Sequence, residues 1–503
     1  MEVLQLLFDG FGTALAPENL LFALLGGTLG IIVGAMPGLG SVAGTALLLP
    51  MTFKMNPATA IITLAALYYG NMFGGAISAI LLNIPGDAPA IMTALDGNAM
   101  AKKGKAGQAL FIAFTASLVG GLIGAIILTF VGPGLAKVGL MFGPPEMATL
   151  ILLAMTSIGW VLGDSPAKGL LATVLGLMIA SIGTDSMVGI ERMTFGMLDL
   201  LGGVEFIPLV IGLFGFSQVI STITSDAPDV ESLKLQKLSY KNSLPSKKEW
   251  KRATPTMFRS SILGFIVGLL PGSGATTAAF LSYISAKKLS KHPEELGNGA
   301  PEGVAASESS NNAASVGAFA PLLALGIPGS GTAAILLGGL MMWGLQPGPL
   351  MMQNNPEFTW GLIASMFTGN ILIAIVCIAA IPILVNVLKV PNSVLVPIII
   401  AISIVGAYSV NNSVFDIYIM ILGGILGYIL TKNNFPLATL ALAVVLGPTL
   451  ETSIRQSFKM SQGNVTIFFT RPISLTLIIV AIVLMVLPSI FKLLKKKTVT
   501  TAE

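Results

Sequence analysis

Residues 32–40 read Ile32-Val-Gly-Ala-Met-Pro-Gly-Leu-Gly40, and the same pattern returns as Ile266-Val-Gly-Leu-Leu-Pro-Gly-Ser-Gly274. A second pair follows in the same order: Leu81-Leu-Asn-Ile-Pro-Gly86 and Ala324-Leu-Gly-Ile-Pro-Gly329. Proline lacks a backbone donor and glycine lets the chain turn freely, so each motif is expected to break a helix. The repeated order predicts an internal repeat with four structural corners, at Pro37, Pro85, Pro271 and Pro328.

The composition around these corners is that of a membrane protein. The chain of 503 residues is 54% hydrophobic and only 10% charged. Apolar stretches of about 20 residues recur from end to end, which predicts an all-α polytopic fold with about ten to twelve crossings or half-crossings. In lipid, freed backbone groups are tolerated only where protein or a watery cavity satisfies them. Four breaks therefore suggest a binding site made of broken helices or re-entrant hairpins.

Charge and motif order divide the chain. Eight basic residues in the segment 225–259 predict a cytoplasmic loop, and the lysines near the C-terminus place the tail inside. The predicted divisions are an N-terminal segment (1–19), a first repeat (20–108), about four transmembrane helices (109–224), the basic loop (225–259), a second repeat (260–345), about four to five further helices (346–491) and the cytoplasmic tail (492–503).

The relative orientation of the two repeats is less constrained. No Lys or Arg precedes Lys54, which favours an N-terminus outside the cytoplasm. The repeats would then enter the membrane from opposite faces, as inverted repeats do in secondary transporters. Lys287, Lys288 and Lys291 argue against inversion, because they would then lie outside, where lysine is disfavoured.

Each corner is followed by a short arm (41–49, 89–95, 275–285 and 332–342) that would begin near the middle of the bilayer. A helix start exposes unpaired N–H groups and a partial positive charge, which suit an anion such as a carboxylate. Hydroxyl groups at the turns could cap the arms, bond a substrate, or both. One Pro-Gly turn alone is more often an ordinary connection, but these four recur in matched pairs. The predicted substrate-binding residues are Gly38, Gly40, Ser41, Asn83, Gly86, Gly272, Ser273, Gly274, Thr276, Thr277, Asn311, Asn312, Gly329, Ser330, Gly331 and Thr332.

A polar stretch, 302–326, precedes the fourth corner. The repeat aligns Asn311 with Tyr68, inside the apolar segment 60–84, and so predicts that this polar stretch runs at membrane depth. The alternative is a solvated loop in which Glu302 is a helix-start acid. Spacings of three and four put one set of polar residues on a single helical face: Glu308, Asn311, Asn312 and Ser315. Their oxygen atoms suit a hard cation such as sodium.

The predicted coupling-ion residues are Asp87, Glu302, Glu308 and Asn311. Asp87 stands in the second corner where the fourth has Ser330. An acid there would repel an anionic substrate unless it holds a cation; the alternative is a carboxylate that caps a helix. Asp96 is expected to end the second arm at the cytoplasmic edge.

Several other functions lack the residues they need. The one cysteine, Cys377, excludes an intrachain disulfide and a cysteine metal site. The one histidine, His292, lies in a polar stretch, so no serine–histidine arrangement is expected. The nearest P-loop look-alike, 99–106, lacks its first glycine and its final Ser or Thr. No enzyme activity, ATP-driven pump, cofactor, metal beyond sodium or nucleic-acid partner is therefore predicted, whereas a channel is harder to exclude.

A set of motifs resembles one known family. They are Gly34-Ala-Met-Pro-Gly-Leu-Gly40, Tyr69-Gly70 with Asn83-Ile-Pro-Gly86, Leu95-Asp-Gly97 with Ala101-Lys-Lys-Gly104, Gly268-Leu-Leu-Pro-Gly-Ser-Gly274, Gly299-Ala-Pro-Glu-Gly-Val304, Asn311-Asn312-Ala313 and Leu325-Gly-Ile-Pro-Gly329. In this order, from about Gly26 to beyond Pro448, the chain resembles the large membrane subunit of the bacterial tripartite tricarboxylate transporters. One departure is Ser307-Glu308, where the family pattern has a Pro-Glu pair.

The resemblance implies ion-coupled secondary uptake of a carboxylate, such as citrate or another tri- or dicarboxylate, across the bacterial inner membrane. It also implies two partners, a small membrane subunit and a periplasmic solute-binding protein. Sodium is the favoured coupling ion. The alternative is a proton-coupled carboxylate permease or a channel that acts without a binding protein.

Overall fold

A computed structural model describes residues 2–36, 38–161, 166–185, 187–224, 238, 240–271, 274–384 and 392–483. Three residues of the predicted corners and site, Pro37, Gly272 and Ser273, lie outside this described part, as do residues 225–237 of the basic loop and the tail 492–503. The chain forms two compact units. The first comprises Met1–Lys137 and Ile207–Tyr428, and the second Val138–Phe206 and Ile429–Glu503.

The first half of the chain is helical apart from one short hairpin. Its helices are α1 (Glu2–Ala14), α2 (Pro17–Ala35), α3 (Gly40–Leu48), α4 (Pro57–Leu82), α5 (Ile91–Lys102), α6 (Ala106–Gly139), α7 (Pro144–Val161), α8 (Pro166–Ala180), α9 (Phe206–Val210) and α10 (Ser217–Thr224). Short 3₁₀ turns lie at Leu49–Thr52, Ala88–Ala90 and Leu198–Leu200, and a π-helical turn, Ile211–Phe216, joins α9 to α10. The antiparallel strands β1 (Gly183–Thr184) and β2 (Glu191–Arg192) pair Gly183 with Arg192.

The second half continues this pattern. Its helices are α11 (Tyr240–Ser243), α12 (Lys247–Leu269), α13 (Gly274–Leu289), α14 (Pro301–Gly317), α15 (Phe319–Leu325), α16 (Gly331–Met342), α17 (Met351–Asn354), α18 (Pro356–Ala380), α19 (Asn392–Asn411), α20 (Val414–Lys432), α21 (Leu437–Met460), α22 (Ile467–Thr470) and α23 (Pro472–Val483). A 3₁₀ turn, Ile381–Ile383, follows α18.

Within the described residues, eight helices are long and apolar enough to cross a membrane, and four shorter apolar helices accompany them. The all-α polytopic class predicted from the sequence is confirmed. Helix α4 is unusual among the eight because 94% of its most apolar window is buried inside the protein. It is therefore a central helix, whereas α19, with 17% of its window buried, has the exposed apolar surface of a helix that faces lipid.

Two helix pairs in the first unit have backbones in close contact. Helix α2 packs on α4, and α12 packs on α14. A Cβ atom built on Gly34 would lie 2.2 Å from the backbone oxygen of Asn71, and one built on Gly268 would lie 2.4 Å from that of Ala314. Small residues allow helices in lipid to approach this closely. Glycine is therefore required at equivalent places in the two pairs.

The chain also turns in the same way at matched corners. Met36, which follows α2, has φ −86° and ψ 113°, and Leu270, which follows α12, has φ −80° and ψ 118°. The next helices start at Gly40 (φ 61°) and Gly274 (φ 59°). At the later corners, Asn83 and Gly326 both end a helix in the left-handed region. The two repeats, called the first segment (20–108) and the second segment (260–345), thus have the same backbone path at these corners. Their orientation relative to the membrane stays a prediction.

The arms of each segment pack against arms of the other segment. Helix α3, after the first corner, packs on α16, after the fourth corner. Helix α13, after the third corner, packs on α5 and on the 3₁₀ turn Ala88–Ala90, which follow the second corner. Each arm that begins a segment therefore contacts the arm that ends the other segment.

Some boundaries predicted from the sequence are wrong. The basic segment 225–259 is not a loop throughout, because α12 begins at Lys247. Ser246 and Glu249 form a capping box there, which satisfies the first N–H groups of that helix. Likewise the second arm does not end before Asp96. Asp96 is fully buried in the middle of α5.

Replacing Gly34 by Ala should destabilise the first unit. The added methyl group would clash with the Asn71 backbone and force the helices apart, at a cost of about 1–3 kcal/mol. Thermal unfolding of the purified protein in detergent measures this loss. Gly12 is the matched control, because a Cβ built there meets nothing within 4 Å. Equal stability of the Gly34→Ala variant and the wild type would contradict the tight packing.

Candidate functional site

Three of the four corners meet through hydrogen bonds near the start of α3. The Thr332 hydroxyl, just after the fourth corner, donates to the Ser41 hydroxyl over 3.0 Å. The backbone N–H of Ser41 donates to the carboxylate of Asp87, in the second corner, over 3.1 Å. Ser41 and Thr332 are both buried. The structure therefore brings together residues that the sequence places almost 300 positions apart.

Asp87 supplies the negative charge at the start of α3. One carboxylate oxygen accepts from the Ser41 N–H, and the other accepts from the Ala88 N–H over 2.7 Å. A Cβ built on Gly40 would lie 3.3 Å from this carboxylate. The unpaired N–H groups and partial positive charge of a helix start favour an anion, and here the protein provides that anion itself.

The fourth corner has a hydroxyl at the matched position. Ser330 has φ −149° and ψ 167°, close to the φ −134° and ψ 159° of Asp87, and its hydroxyl caps α16 by accepting from the Ala333 N–H over 3.2 Å. The Ser330 hydroxyl also lies 3.2 Å from the phenol oxygen of Tyr68. Tyr68 is a buried residue of α4 that we did not select from the sequence, although the repeat aligned it with Asn311.

The start of α13 differs from the start of α3. Among the described atoms, none lies within 4 Å of a Cβ built on Gly274, whereas the matched Gly40 faces the Asp87 carboxylate. Thr276 and Thr277, in the first turn of α13, are partly exposed. Since Ser330 stands where the first segment has Asp87, the second segment carries no acid at that position. The two matched helix starts therefore differ in charge, because only the first faces a carboxylate among the described residues.

Other glycines of the predicted site serve backbone packing. A Cβ built on Gly86 would lie 1.8 Å from the backbone oxygen of Gly34, and one on Gly329 would lie 2.7 Å from the Cα of Ala318. Gly38 has φ 93°, in the left-handed region, and its Cβ position lies 2.8 Å from the amide nitrogen of Gln218. Asn83 ends α4 with φ 61°. Gly331 is the first residue of α16.

The polar stretch before the fourth corner is a buried helix and not a solvated loop. Every residue of α14, from Pro301 to Gly317, is buried. The Glu308 side chain is 0% exposed. One of its carboxylate oxygens accepts from the Thr93 hydroxyl, and the other accepts from the Ser117 hydroxyl over 3.0 Å. The amide nitrogen of Asn311 lies 3.5 Å from that second oxygen.

Glu308 has neutral partners only. In the part of the chain that the structure describes, no Lys, Arg or His nitrogen lies within 4.0 Å of its carboxylate. Burying a carboxylate without a charged partner is costly, so the group either takes up a proton or has a cation beside it. The carboxylate and the hydroxyl oxygens of Thr93 and Ser117 form an all-oxygen set, which suits a hard cation. Thr93 and Ser117 were missed, because single hydroxyls in apolar helices give no sequence signal.

The two asparagines next to Glu308 are bonded to each other. The amide nitrogen of Asn312 donates to the side-chain oxygen of Asn311 over 2.9 Å and to the backbone oxygen of Glu308 over 3.0 Å. The side-chain oxygen of Asn312 is buried and has no hydrogen-bond partner among the described atoms. This oxygen is therefore able to accept from a bound ligand.

The predicted coupling-ion carboxylates do not share one set of partners. Glu302, in the first turn of α14, pairs with Arg252 over 2.6 Å. Its charge is thus balanced within the protein, unlike that of Glu308. Among the described residues, the one group of three or more acidic, His or Cys ligands close enough to share a metal ion is His292, Glu294 and Glu295, all of which are exposed. Exposed acids form such groups without binding a metal.

Comparison with known proteins identifies the family. Residues 20–442 match the sequence model of the tripartite tricarboxylate transporter TctA family. An uncharacterized 52.8 kDa protein from the TAR-I ttuC' 3' region of Agrobacterium vitis is 40% identical over 493 residues, which cover 97% of each chain. An uncharacterized protein from the TAR-II ttuC' 3' region of the same organism is 44% identical over 230 residues, 45% of this chain and 95% of that protein.

No solved structure gives a significant match to this chain. The family match spans all four corners and the buried helix α14. With helices long and apolar enough for repeated membrane crossings, this is a multi-pass membrane protein. The chain belongs to the tripartite tricarboxylate transporter TctA family.

Proposed function

We propose that this protein is the large membrane subunit of a secondary transporter that takes up a carboxylate, such as citrate or another tri- or dicarboxylate, with sodium. It works in the bacterial inner membrane with a small membrane subunit and a periplasmic solute-binding protein. The observation that carries the proposal is the difference between two matched helix starts. The Asp87 carboxylate binds the start of α3, whereas no described atom lies within 4 Å of a Cβ built on Gly274 at the start of α13.

In this proposal a substrate carboxylate binds at the start of α13. The N–H groups of the first helical turn would provide hydrogen bonds and partial positive charge without a basic side chain. Ser330, Thr276 and Thr277 supply hydroxyl groups for the rest of the substrate. Secondary transporters bind anionic substrates in this way at the starts of discontinuous helices.

The coupling ion binds in this proposal at Glu308. Its negative charge is buried among hydroxyl groups and has no basic partner among the described residues. A sodium ion would compensate that charge and use the same oxygen atoms. A proton would also neutralise Glu308, so proton coupling is the second candidate. Both candidates use the same residue, and an ion-gradient experiment separates them.

Uptake by the reconstituted system tests the function. The purified protein, with the small membrane subunit, is placed in vesicles, and the solute-binding protein loaded with labelled citrate is added outside. We expect citrate to accumulate when sodium is higher outside, without ATP. Accumulation driven equally well by a pH gradient in sodium-free buffer would favour the proton alternative. Accumulation without the solute-binding protein would contradict its requirement.

The Glu308→Gln variant tests the cation site in the same vesicles. Glutamine keeps the shape of the side chain but loses the charge that attracts the cation, so sodium-driven uptake should fall about tenfold or more. The control is Glu294→Gln, because the Glu294 side chain is 70% exposed. Normal sodium-driven uptake by Glu308→Gln at equal protein abundance would rule out the cation assignment.

The Ser330→Asp variant tests the substrate site. By the match with Asp87, an aspartate at this position should reach the N–H groups at the start of α13 and compete with the substrate. The apparent KM for citrate should therefore rise about tenfold or more. Ser330→Asn is the matched control, since asparagine also caps a helix and has the same size without the charge. Equal KM values for the two variants would contradict a carboxylate site at this helix start.

A further inference from the structure

Asp96 is a carboxylate of the first unit that accepts four hydrogen bonds. Its side chain is 0% exposed. One oxygen accepts from the backbone N–H groups of Gly297, Gly299 and Ala300, over 2.9, 2.7 and 2.7 Å. The other accepts from the Tyr283 hydroxyl over 2.7 Å. Four donors thus bind this carboxylate, and none of the four is a basic side chain.

These bonds join α5 to the beginning of α14. Ala300 is the residue that precedes α14, and a Cβ built on Gly303, in its first turn, would lie 1.9 Å from an Asp96 oxygen. The carboxylate therefore also lies where the partial positive charge of the α14 start favours it. Lys103, at the end of α5, donates to the backbone oxygen of Asn298 in the same connecting segment.

The same face of α5 carries a contact of the cation site. Thr93 precedes Asp96 by three residues, so both side chains project from one side of the helix. Thr93 binds the Glu308 carboxylate, and its hydroxyl lies 2.9 Å from that of Ser307. Helices α5 and α14 are thus joined at two levels, by Asp96 at the start of α14 and by Thr93 two turns further on.

This junction belongs to only one of the two matched segments. Asp96 lies nine residues beyond Asp87, and the residue nine beyond Ser330 is Gly339, which has no side chain. The segment that Asp96 binds, 290–300, connects α13 to α14, and the matched connection between α3 and α4 is shorter. The contact is therefore an addition to the shared backbone, located beside the segment that carries Glu308.

We propose that Asp96 is a positioning residue for transport. By holding the start of α14 against α5, it sets the separation between Thr93 and Glu308, and thereby the affinity of Glu308 for the coupling cation. The inference rests on the proposed cation site at Glu308. It assigns Asp96 no contact with the substrate or the ion.

The test compares Asp96→Asn with the wild type in the sodium-driven uptake assay. Asparagine retains one oxygen but loses the charge that four donors stabilise, so the first turn of α14 should loosen. The sodium concentration for half-maximal uptake should rise roughly tenfold, while the maximal rate at saturating sodium stays near that of the wild type. Asp9→Asn is the matched control, because Asp9 is exposed on α1.

The Tyr283→Phe variant covers the case in which Asp96→Asn does not reach the membrane. It removes one of the four donors and keeps the carboxylate, so the same shift should appear with a smaller size. Hydrogen exchange of the full-length protein gives a second reading, since the amides of Gly297, Gly299 and Ala300 should exchange faster in either variant.

Three outcomes are distinguished. A raised sodium requirement with an unchanged maximal rate supports the positioning role. A lowered maximal rate with an unchanged sodium requirement, or no change in either, overturns it. Wild-type uptake that does not depend on the sodium concentration instead refutes the proposed sodium site. This dependence is measured before any variant is compared.

Discussion

The constraint on which this structure depends is that every break in a buried helix frees backbone N–H groups that need a partner. At the second and fourth corners the partner is a side chain at a matched position, Asp87 or Ser330. Asp87 reaches further, to the first turn of α3, and so satisfies two helix starts with one carboxylate. Where the second segment has Ser330, no acid stands at the matched position. A single difference in side chain, Asp87 against Ser330, thus distinguishes two corners whose backbones match.

The two segments share a backbone path but differ in their side chains. The matched turns and the close helix pairs give both segments the same path. Charged and amide side chains are concentrated in the second segment, where α14 carries Glu308 and the two asparagines. The matched face of α4 carries Tyr68 and Tyr69. Those tyrosines pack against Phe319, with ring centroids 6.3 and 6.1 Å apart. Helix α4 therefore contributes aromatic packing, whereas α14 contributes polar groups.

Much of this could be predicted from the sequence. The corners follow from the proline and glycine pattern, and the burial of Glu308 followed from aligning a polar stretch with an apolar one. Thr93 and Ser117 could not be predicted, because their role depends on which helix faces Glu308. The partners of Asp96 were equally hidden, since three of them are backbone N–H groups about 200 residues away, and any residue type carries such a group. The boundary of α12 was missed because basic residues were interpreted as loop, although Ser246 and Glu249 form a recognisable cap.

The close contact of Gly34 with Asn71, and of Gly268 with Ala314, limits how this protein can change shape. Interlocked backbones have no side chains between them that could adopt other rotamers, so neither pair can slide without losing its packing. Each pair is therefore expected to move as one rigid body. A movement of one pair relative to the other would therefore change the contacts between the arms, α3 with α16 and α13 with α5. Ser41, Asp87 and Thr332 lie at such a contact, so a change in their hydrogen bonds would act directly on the place where the two arms meet.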